Sequence, residues 1–354
     1  MSSTRIKIFL TGATGYIGGS VLNSLLEHSN ATNFDISVLI RSGDNERINK
    51  LQSLGLKTLI GSNDSHELIE NAAKESHVVI HTSNSADDLA STMAIISGLN
   101  QQIQTTGRPA IYIHTSGTGV LHENICGEKG SDIVYNDLDP VQINGLPDEQ
   151  LHRNVDLFII NAADSNPLLK TVIVLPPLIY GIGSGLFNRT SVQLPLLIRA
   201  ALRRKRAGMI GPGDATWNHV HIADLADAFL IIFDQLLAAY GPNASADVKP
   251  SSFLTTGREG YYFVENGTHS WRQLSEKVGE VLYKKGLVED PEVDSFPDNK
   301  IEGEPWAGYA TLLLGSQSSS KAERIRKLGW KPCRATIFDS VDEQVDAIIK
   351  NNDY

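Results

Sequence analysis

Three glycines set three residues apart, Gly12, Gly15 and Gly18, follow directly on the apolar run Ile6-Lys7-Ile8-Phe9-Leu10 and lead into Val21-Leu22-Asn23-Ser24-Leu25-Leu26. That order reads as strand, tight turn and helix, and its chemistry is the binding of a dinucleotide. Gly12 permits the sharp turn, Gly15 lets the backbone approach a pyrophosphate, and Gly18 lets the helix pack on the sheet. Thr14, Tyr16 and Ile17 fill the turn and the first helical turn, where free N–H groups and the positive helix end face the phosphate charge. The next strand, Ile36–Arg41, adds a choice between cofactors. An NAD site usually ends this strand with a carboxylate that accepts from the ribose 2′-hydroxyl; here Arg41-Ser42 stands in its place. A guanidinium pairs bidentately with a 2′-phosphate and stacks on adenine. The sequence therefore predicts NADP(H), with Arg47 or Lys50 assisting from the next helix. Asp44 argues the other way, three residues further on.

The spelling Thr-Gly-x-x-Gly-Tyr-Ile-Gly resembles the extended and atypical short-chain dehydrogenases/reductases, the superfamily of the NAD-dependent epimerases and dehydratases. A second match lies far away, where Ser319-Ser320-Lys321-Ala322 and Leu328-Gly329-Trp330-Lys331-Pro332 look like the family's C-terminal segment. The resemblance implies that Asn63, after the third strand, lies at the adenine. It implies that Thr82 and Ser83, after the fourth, pass the cofactor ribose. Pro176, Leu178 and Ile179 fall in the loop whose backbone meets the nicotinamide carboxamide.

The resemblance also implies a catalytic serine at the end of the fifth strand, where Ser116 stands with Thr118 beside it, and a Tyr-x-x-x-Lys pair on the following helix. That pair is missing, because the segment 147–158 has neither tyrosine nor lysine. His152 and Asp156, four apart, are expected on one face of this helix. An imidazole beside a carboxylate acts as acid or base near neutral pH. Tyr135, in the long loop after Ser116, is the other candidate for a displaced tyrosine. Asn188, Arg189, Ser191 and Gln193 fall where extended members bind substrate. Arg203-Arg204-Lys205-Arg206 would meet a diphosphate or simply complement a helix C-terminus. Trp217-Asn218-His219-Val220-His221-Ile222-Ala223-Asp224 resembles the family's Val-His-x-x-Asp element. Its histidines suit packing better than a metal, no metal site is read, and Asp224 is expected to cap a helix.

The elements that must position these groups follow from apolar runs alternating with helical segments, the pattern of a parallel doubly wound sheet. Strands are expected at Ile6–Leu10, Ile36–Arg41, Lys57–Ile60, His77–His81, Ala110–His114 and Thr171–Leu175. Helices are expected at Tyr16–His28, Glu46–Leu54, Ser65–Ala73, Asp87–Thr105 and Glu149–Ala163. Beyond Pro176-Pro177 the loops lengthen, among them Gly241–Ser252, and Ser316–Ser320 reads as a short polar loop. Further helices at Val192–Arg206, Ile222–Tyr240, Trp271–Lys285 and Lys321–Leu328 predict a smaller, mostly helical lobe. The fold class is α/β: a Rossmann-type doubly wound sheet over 1–180, and a substrate lobe over 181–354 with about 208–240 returning to the sheet. Ligands are expected at the carboxyl ends of the strands.

A net charge of −10 argues against nucleic acid as a partner, and no apolar stretch approaches the roughly 20 residues of a membrane span. Two cysteines without a zinc or disulfide pattern, and no signal-like start, suggest a reducing cytoplasm. The expected partner is a small-molecule substrate, and the expected state a monomer or homodimer. The expected activity is an NADP(H)-dependent oxidoreductase acting on a small organic carbonyl or alcohol. The alternatives are a nucleotide-sugar epimerase or dehydratase, and a non-catalytic NADP(H)-binding regulator similar to the NmrA-like proteins.

Overall fold

Each of the six apolar runs forms a strand, and a short seventh joins them in one parallel sheet. The computed structural model describes residues 4–245, 249–301, 303 and 307–351, so positions 246–248 of the loop expected at Gly241–Ser252 lie outside the described residues. In chain order β1 (Ile6–Thr11), β2 (Phe34–Ile40), β3 (Lys57–Ile60), β4 (Val78–His81) and β5 (Ala110–Thr115) alternate with α1 (Tyr16–Leu26), α2 (Asn45–Ser53), α3 (His66–Lys74) and α4 (Leu89–Thr106). The spatial order is Tyr261–Phe263, Leu169–Leu175, β5, β4, β1, β2, β3. Helices cover both faces, so the central strands bury nearly every side chain and read as continuous Val/Ile/Leu runs. Strand order reverses beside β1, which pairs in parallel with β2 on one edge and β4 on the other. A crevice opens at the carboxyl ends of strands at such a point.

Several elements were not legible from apolar pattern. The seventh strand, Tyr261–Phe263, is three residues long and pairs with Ile173–Leu175. Leu178–Tyr180, Thr216–His221 and Thr268–Ser270 form a separate three-stranded sheet. The expected loop Ser316–Ser320 is instead paired: Ser316-Gln317 with Glu123-Asn124, and Ser320 with Tyr135. The closing helix Ile337–Lys350 was unread, although Thr336 and Asp339 form a capping box and Ile337, Val341, Val345 and Ile348 make its buried stripe.

The expected helix Glu149–Ala163 begins only at Arg153, a shift with consequences for the site. The cap assigned to Asp224 is also corrected. The His221 imidazole caps Ile222–Tyr240, accepting from the Ala223 amide at 3.1 Å. Asp224 lies in the first turn, and its carboxylate receives the amides of Cys333 (3.0 Å) and Arg334 (3.2 Å), while the Trp330 indole donates to its carbonyl (2.8 Å). A second such anchor is Asp137, whose buried carboxylate accepts from the amides of Phe263 (3.1 Å), Glu323 (3.0 Å) and Arg324 (2.8 Å). The family-like C-terminal segment is thus a structural latch.

Two apolar cores result. One surrounds the main sheet and includes Phe229 and Phe233 of the returning helix Ile222–Tyr240. The other, with Trp217 and Trp271, joins Gln193–Arg204, Trp271–Lys284 and Ile337–Lys350.

Candidate functional site

The glycine turn is fixed by its neighbours, and its three glycines serve different ends. Gly12 has φ +75°, and a Cβ there would meet the Thr82 hydroxyl at 2.5 Å; a Cβ on Gly18 would lie 2.3 Å from both the Gly12 carbonyl and that hydroxyl. Both are therefore required by packing. A Cβ on Gly15 would touch only the Gly12 carbonyl, at 3.1 Å, and otherwise enters the open cleft. Gly15 is the N-terminal cap of α1, with no side chain satisfying the first-turn amides and no acidic residue in that turn. These bare N–H groups, the helix dipole and the room at Gly15 fit a pyrophosphate.

A cleft of about 480 Å³ opens there, and its walls include Gly12, Thr14, Gly15, Arg41, Asn63, Thr82 and Ser83. Seven of the twelve expected cofactor residues are thus brought together. Asn63 is tied to the neighbouring loop, its amide donating to the Ser83 carbonyl (2.6 Å) and to Asp88 (2.8 Å). Tyr16 is buried, its hydroxyl donating to the Gly181 carbonyl at 2.7 Å. Ile17 packs against the core and is not in the cleft lining. Leu178 is buried in the second core, and Ile179 packs on the first. Arg41 is exposed at the cleft edge and has no hydrogen bond or ion pair to the other described residues. Asp44 is committed elsewhere. It caps α2, accepting from the Arg47 amide at 3.0 Å, and pairs with the Arg47 guanidinium at 3.0 Å.

A second cavity, of about 530 Å³, shares one wall residue with the first, Asn84. Its walls include Asp87, Gly117, Thr118, Gly119, His152 and Pro176. Here the expected His152–Asp156 pairing is corrected. His152 adopts a left-handed conformation (φ +69°) just before the helix Arg153–Ser165, which turns its ring away from the helix face. Its Nδ1 lies 2.6 Å from Asp87 Oδ1. The His152 hydrogen bond holds the Asp87 carboxyl below the usual carboxylate range. An ionised carboxylate only accepts, which assigns the proton to Nδ1 and leaves Nε2 for the cavity side. A Cβ placed on Gly119 would lie 3.0 Å from that Nε2, so the glycine there keeps space around it.

Asp156 points instead to Ser116, whose hydroxyl donates to Oδ2 at 3.2 Å; both residues are buried, and Oδ1 has no protein partner. Ser116 is not in the cavity lining, although its neighbours Gly117 and Thr118 are. Tyr135 lines neither cavity and is paired in the strand with Ser320; burial, and then Glu123, push its phenol up. Of the substrate-loop residues, Gln193 lines the cavity, and Arg189 donates to the Gly183 carbonyl at 2.6 Å. His219 meets His269, with Nδ1 atoms 3.0 Å apart, and no cluster of three metal-ligating side chains occurs among the described residues.

The strand ends also carry a buried polar chain that the sequence reading did not single out. Thr11 Oγ1 lies 2.6 Å from His81 Nδ1, His81 Nε2 lies 3.1 Å from the Ser91 hydroxyl, and the Tyr112 hydroxyl lies 2.9 Å from His114 Nδ1. Burial lowers His81 to about 4 and His114 well below its ordinary value, so both are neutral at pH 7. Its one signal was histidine interrupting otherwise apolar strands.

Burial also pushes Asp156 up to about 7, against the Ser116 hydrogen bond that pulls it down. In the unfolded chain this carboxyl titrates near its ordinary ~3.9, so between those values the folded protein binds the proton more tightly. The stability gained is full below the unfolded value and is lost as pH rises towards and through about 7. In denaturant titrations from pH 4 to 8, the stability of the native protein relative to Asp156→Asn should fall as pH rises. Identical curves would exclude Asp156 as its source.

The comparisons with known proteins bear on the family and the fold. The sequence model of the NmrA-like family matches residues 4–101, and that of the NAD dependent epimerase/dehydratase family matches residues 153–243. The chain is 29% identical over 333 residues to "Oxidase ucsJ" of Acremonium sp, covering 92% of each protein. It is 26% identical to an uncharacterized protein of Schizosaccharomyces pombe, over 94% of this chain and 97% of that one. Among solved structures it resembles the UDP-glucose 4-epimerase of Thermotoga maritima with UDP-glucose (TM-score 0.61, 13% identity, 98% and 100% covered). It likewise resembles a dTDP-glucose 4,6-dehydratase of Bacillus anthracis with NAD (TM-score 0.63, 16% identity, 98% and 97% covered). At these identities the structural likeness is one of fold.

Proposed function

We propose that this chain, which belongs to the extended, atypical short-chain dehydrogenases/reductases, is an NADP(H)-dependent oxidoreductase of a small organic carbonyl or alcohol. The observation that carries the reading is that one residue, Asn84, walls both the glycine-turn cleft and the second cavity that holds the Asp87–His152 pair. The Gly12–Gly15 turn and the start of α1 would hold the pyrophosphate, and Arg41 the 2′-phosphate. When bound, the nicotinamide supplies or accepts the hydride. The chain must then move one proton at the substrate oxygen, a task that falls on tyrosine and lysine in the family and that the helix Arg153–Ser165 cannot perform, having neither. His152 is placed for it. With Nδ1–H held by Asp87, Nε2 gives a proton to a nascent alkoxide or takes one from an alcohol. Thr118, at the wall, and Ser116, behind it, supply the nearby hydroxyls.

The test joins cofactor choice to turnover. Native protein should bind NADPH more tightly than NADH in fluorescence titrations, and Arg41→Ala should weaken NADPH by about 1.5–3 kcal/mol, the value of a charged hydrogen bond, leaving NADH nearly unchanged. NADPH should be consumed with some member of a carbonyl panel. Tighter NADH binding in the native protein would sink the cofactor assignment. Tight NADPH binding with no turnover would favour the second reading, a redox-state regulator. That reading draws on the NmrA-like match over 4–101 and the missing tyrosine and lysine.

A further inference from the structure

The second cavity differs in chemistry from a nucleotide-sugar site. Leu151, Pro176, Pro177, Trp217, Leu312 and Leu313 are six of the fourteen residues that line it. Among the described residues no lysine or arginine lines it, and its one carboxylate, Asp87, is hydrogen-bonded to His152 Nδ1. A diphosphate brought here would be desolvated beside a carboxylate with no cation to receive it, which is strongly unfavourable.

Three arginines of the lobe are paired with carboxylates away from this cavity. Arg204 pairs with Asp294 (2.7 Å), Arg206 with Asp290 (3.2 Å) and Glu292 (3.4 Å), and Arg272 with Asp214 (3.5 Å). The apolar wall is also built in advance. The Gln193 amide donates to the Leu313 carbonyl at 2.7 Å, tethering the short helix Ala310–Gly315 across the mouth, and Trp217 is backed by Trp271 with ring centroids 6.2 Å apart. At about 530 Å³ the cavity is within the usual range for small-molecule sites.

We infer that the cavity admits a neutral, mostly hydrocarbon ketone, aldehyde or secondary alcohol of up to bicyclic size and rejects nucleotide-diphosphate sugars, with Trp217, Leu312 and Leu313 selecting for apolar bulk. The inference rests on reading this cavity as the substrate site, yet it is tested by binding alone.

Calorimetry of the full chain, with and without saturating NADPH, would use 2-decalone, 1-tetralone and UDP-glucose as probes. At least one ketone should bind saturably, and UDP-glucose should give no saturable heat at ten times the concentration. Leu313→Asp, a half-buried position whose carbonyl rather than side chain holds the tether, should weaken the ketone at least tenfold and leave NADPH affinity unchanged. Saturable UDP-glucose binding, silence from both ketones, or a ketone affinity indifferent to Leu313→Asp would each overturn the inference. If that variant fails to fold, the contrast between ketones and UDP-glucose on the native protein still decides. Ketone binding without NADPH oxidation would refute the oxidoreductase reading and leave the cavity's chemistry standing.

Discussion

Gly15→Val should abolish measurable NADPH binding while the protein keeps its circular dichroism and a single melting transition. A valine side chain here meets little protein, because even its Cβ would contact only the Gly12 carbonyl. What it fills is the space before the first-turn amides of α1. A pyrophosphate excluded from those amides loses several charge-assisted hydrogen bonds, each worth about 1.5–3 kcal/mol, so affinity should fall at least 10²-fold. Gly18→Val is the informative contrast. Its Cβ would overlap the Gly12 carbonyl and the Thr82 hydroxyl, so the fold itself should suffer and the melting temperature drop. If Gly15→Val retains NADPH affinity within threefold by calorimetry, the phosphates lie elsewhere and the proposed orientation of the cofactor is wrong.

The second large effect is expected at His152. His152→Ala should lower the chemical step by about 10²-fold or more, the usual value of a positioned acid, with NADPH affinity unchanged because the imidazole is not in the glycine-turn cleft. Asp87→Asn keeps the ring but removes the partner that fixes its tautomer, so kcat should fall by an intermediate factor and KM should barely move. Ser116→Ala should behave differently from both. Its hydroxyl is the hydrogen-bond donor to buried Asp156, and its loss should cost about 1–3 kcal/mol of stability and less activity than His152→Ala. Single-turnover rates separate these cases from product release. If His152→Ala turns over like the native protein, water or another group carries the proton.

Much of the fold was legible because burial on both faces leaves an unmistakable trace. β3 and the helix Ile222–Tyr240 fall where apolar pattern alone puts them, and the other main strands differ by one or two residues at their ends. Strands of three residues, such as Tyr261–Phe263, are too short to carry a period and owe their conformation to the strand they join. The glycine turn was legible because its spacing encodes backbone geometry. The Asp87–His152 pair was not, since it depends on a left-handed residue before a helix and on a partner 65 positions away. A spacing of four suggested Asp156 instead, which would hold only if the helix had started a turn earlier.

The buried carboxylate of Asp137 has a consequence for biosynthesis. Its three donors come from Phe263, Glu323 and Arg324, so one knot closes contacts spanning 126 to 187 positions of chain. A nascent chain emerging from the ribosome can form β1 to β5 early, from neighbouring segments. The outermost strand at Tyr261–Phe263 can bond Asp137 once it emerges, but that carboxylate must wait for Glu323 and Arg324 before all three of its donors are in place. Long-range closure of this kind slows folding and prolongs exposure of an unfinished sheet edge. The sheet built on the glycine turn is therefore completed only after the 320s have been made.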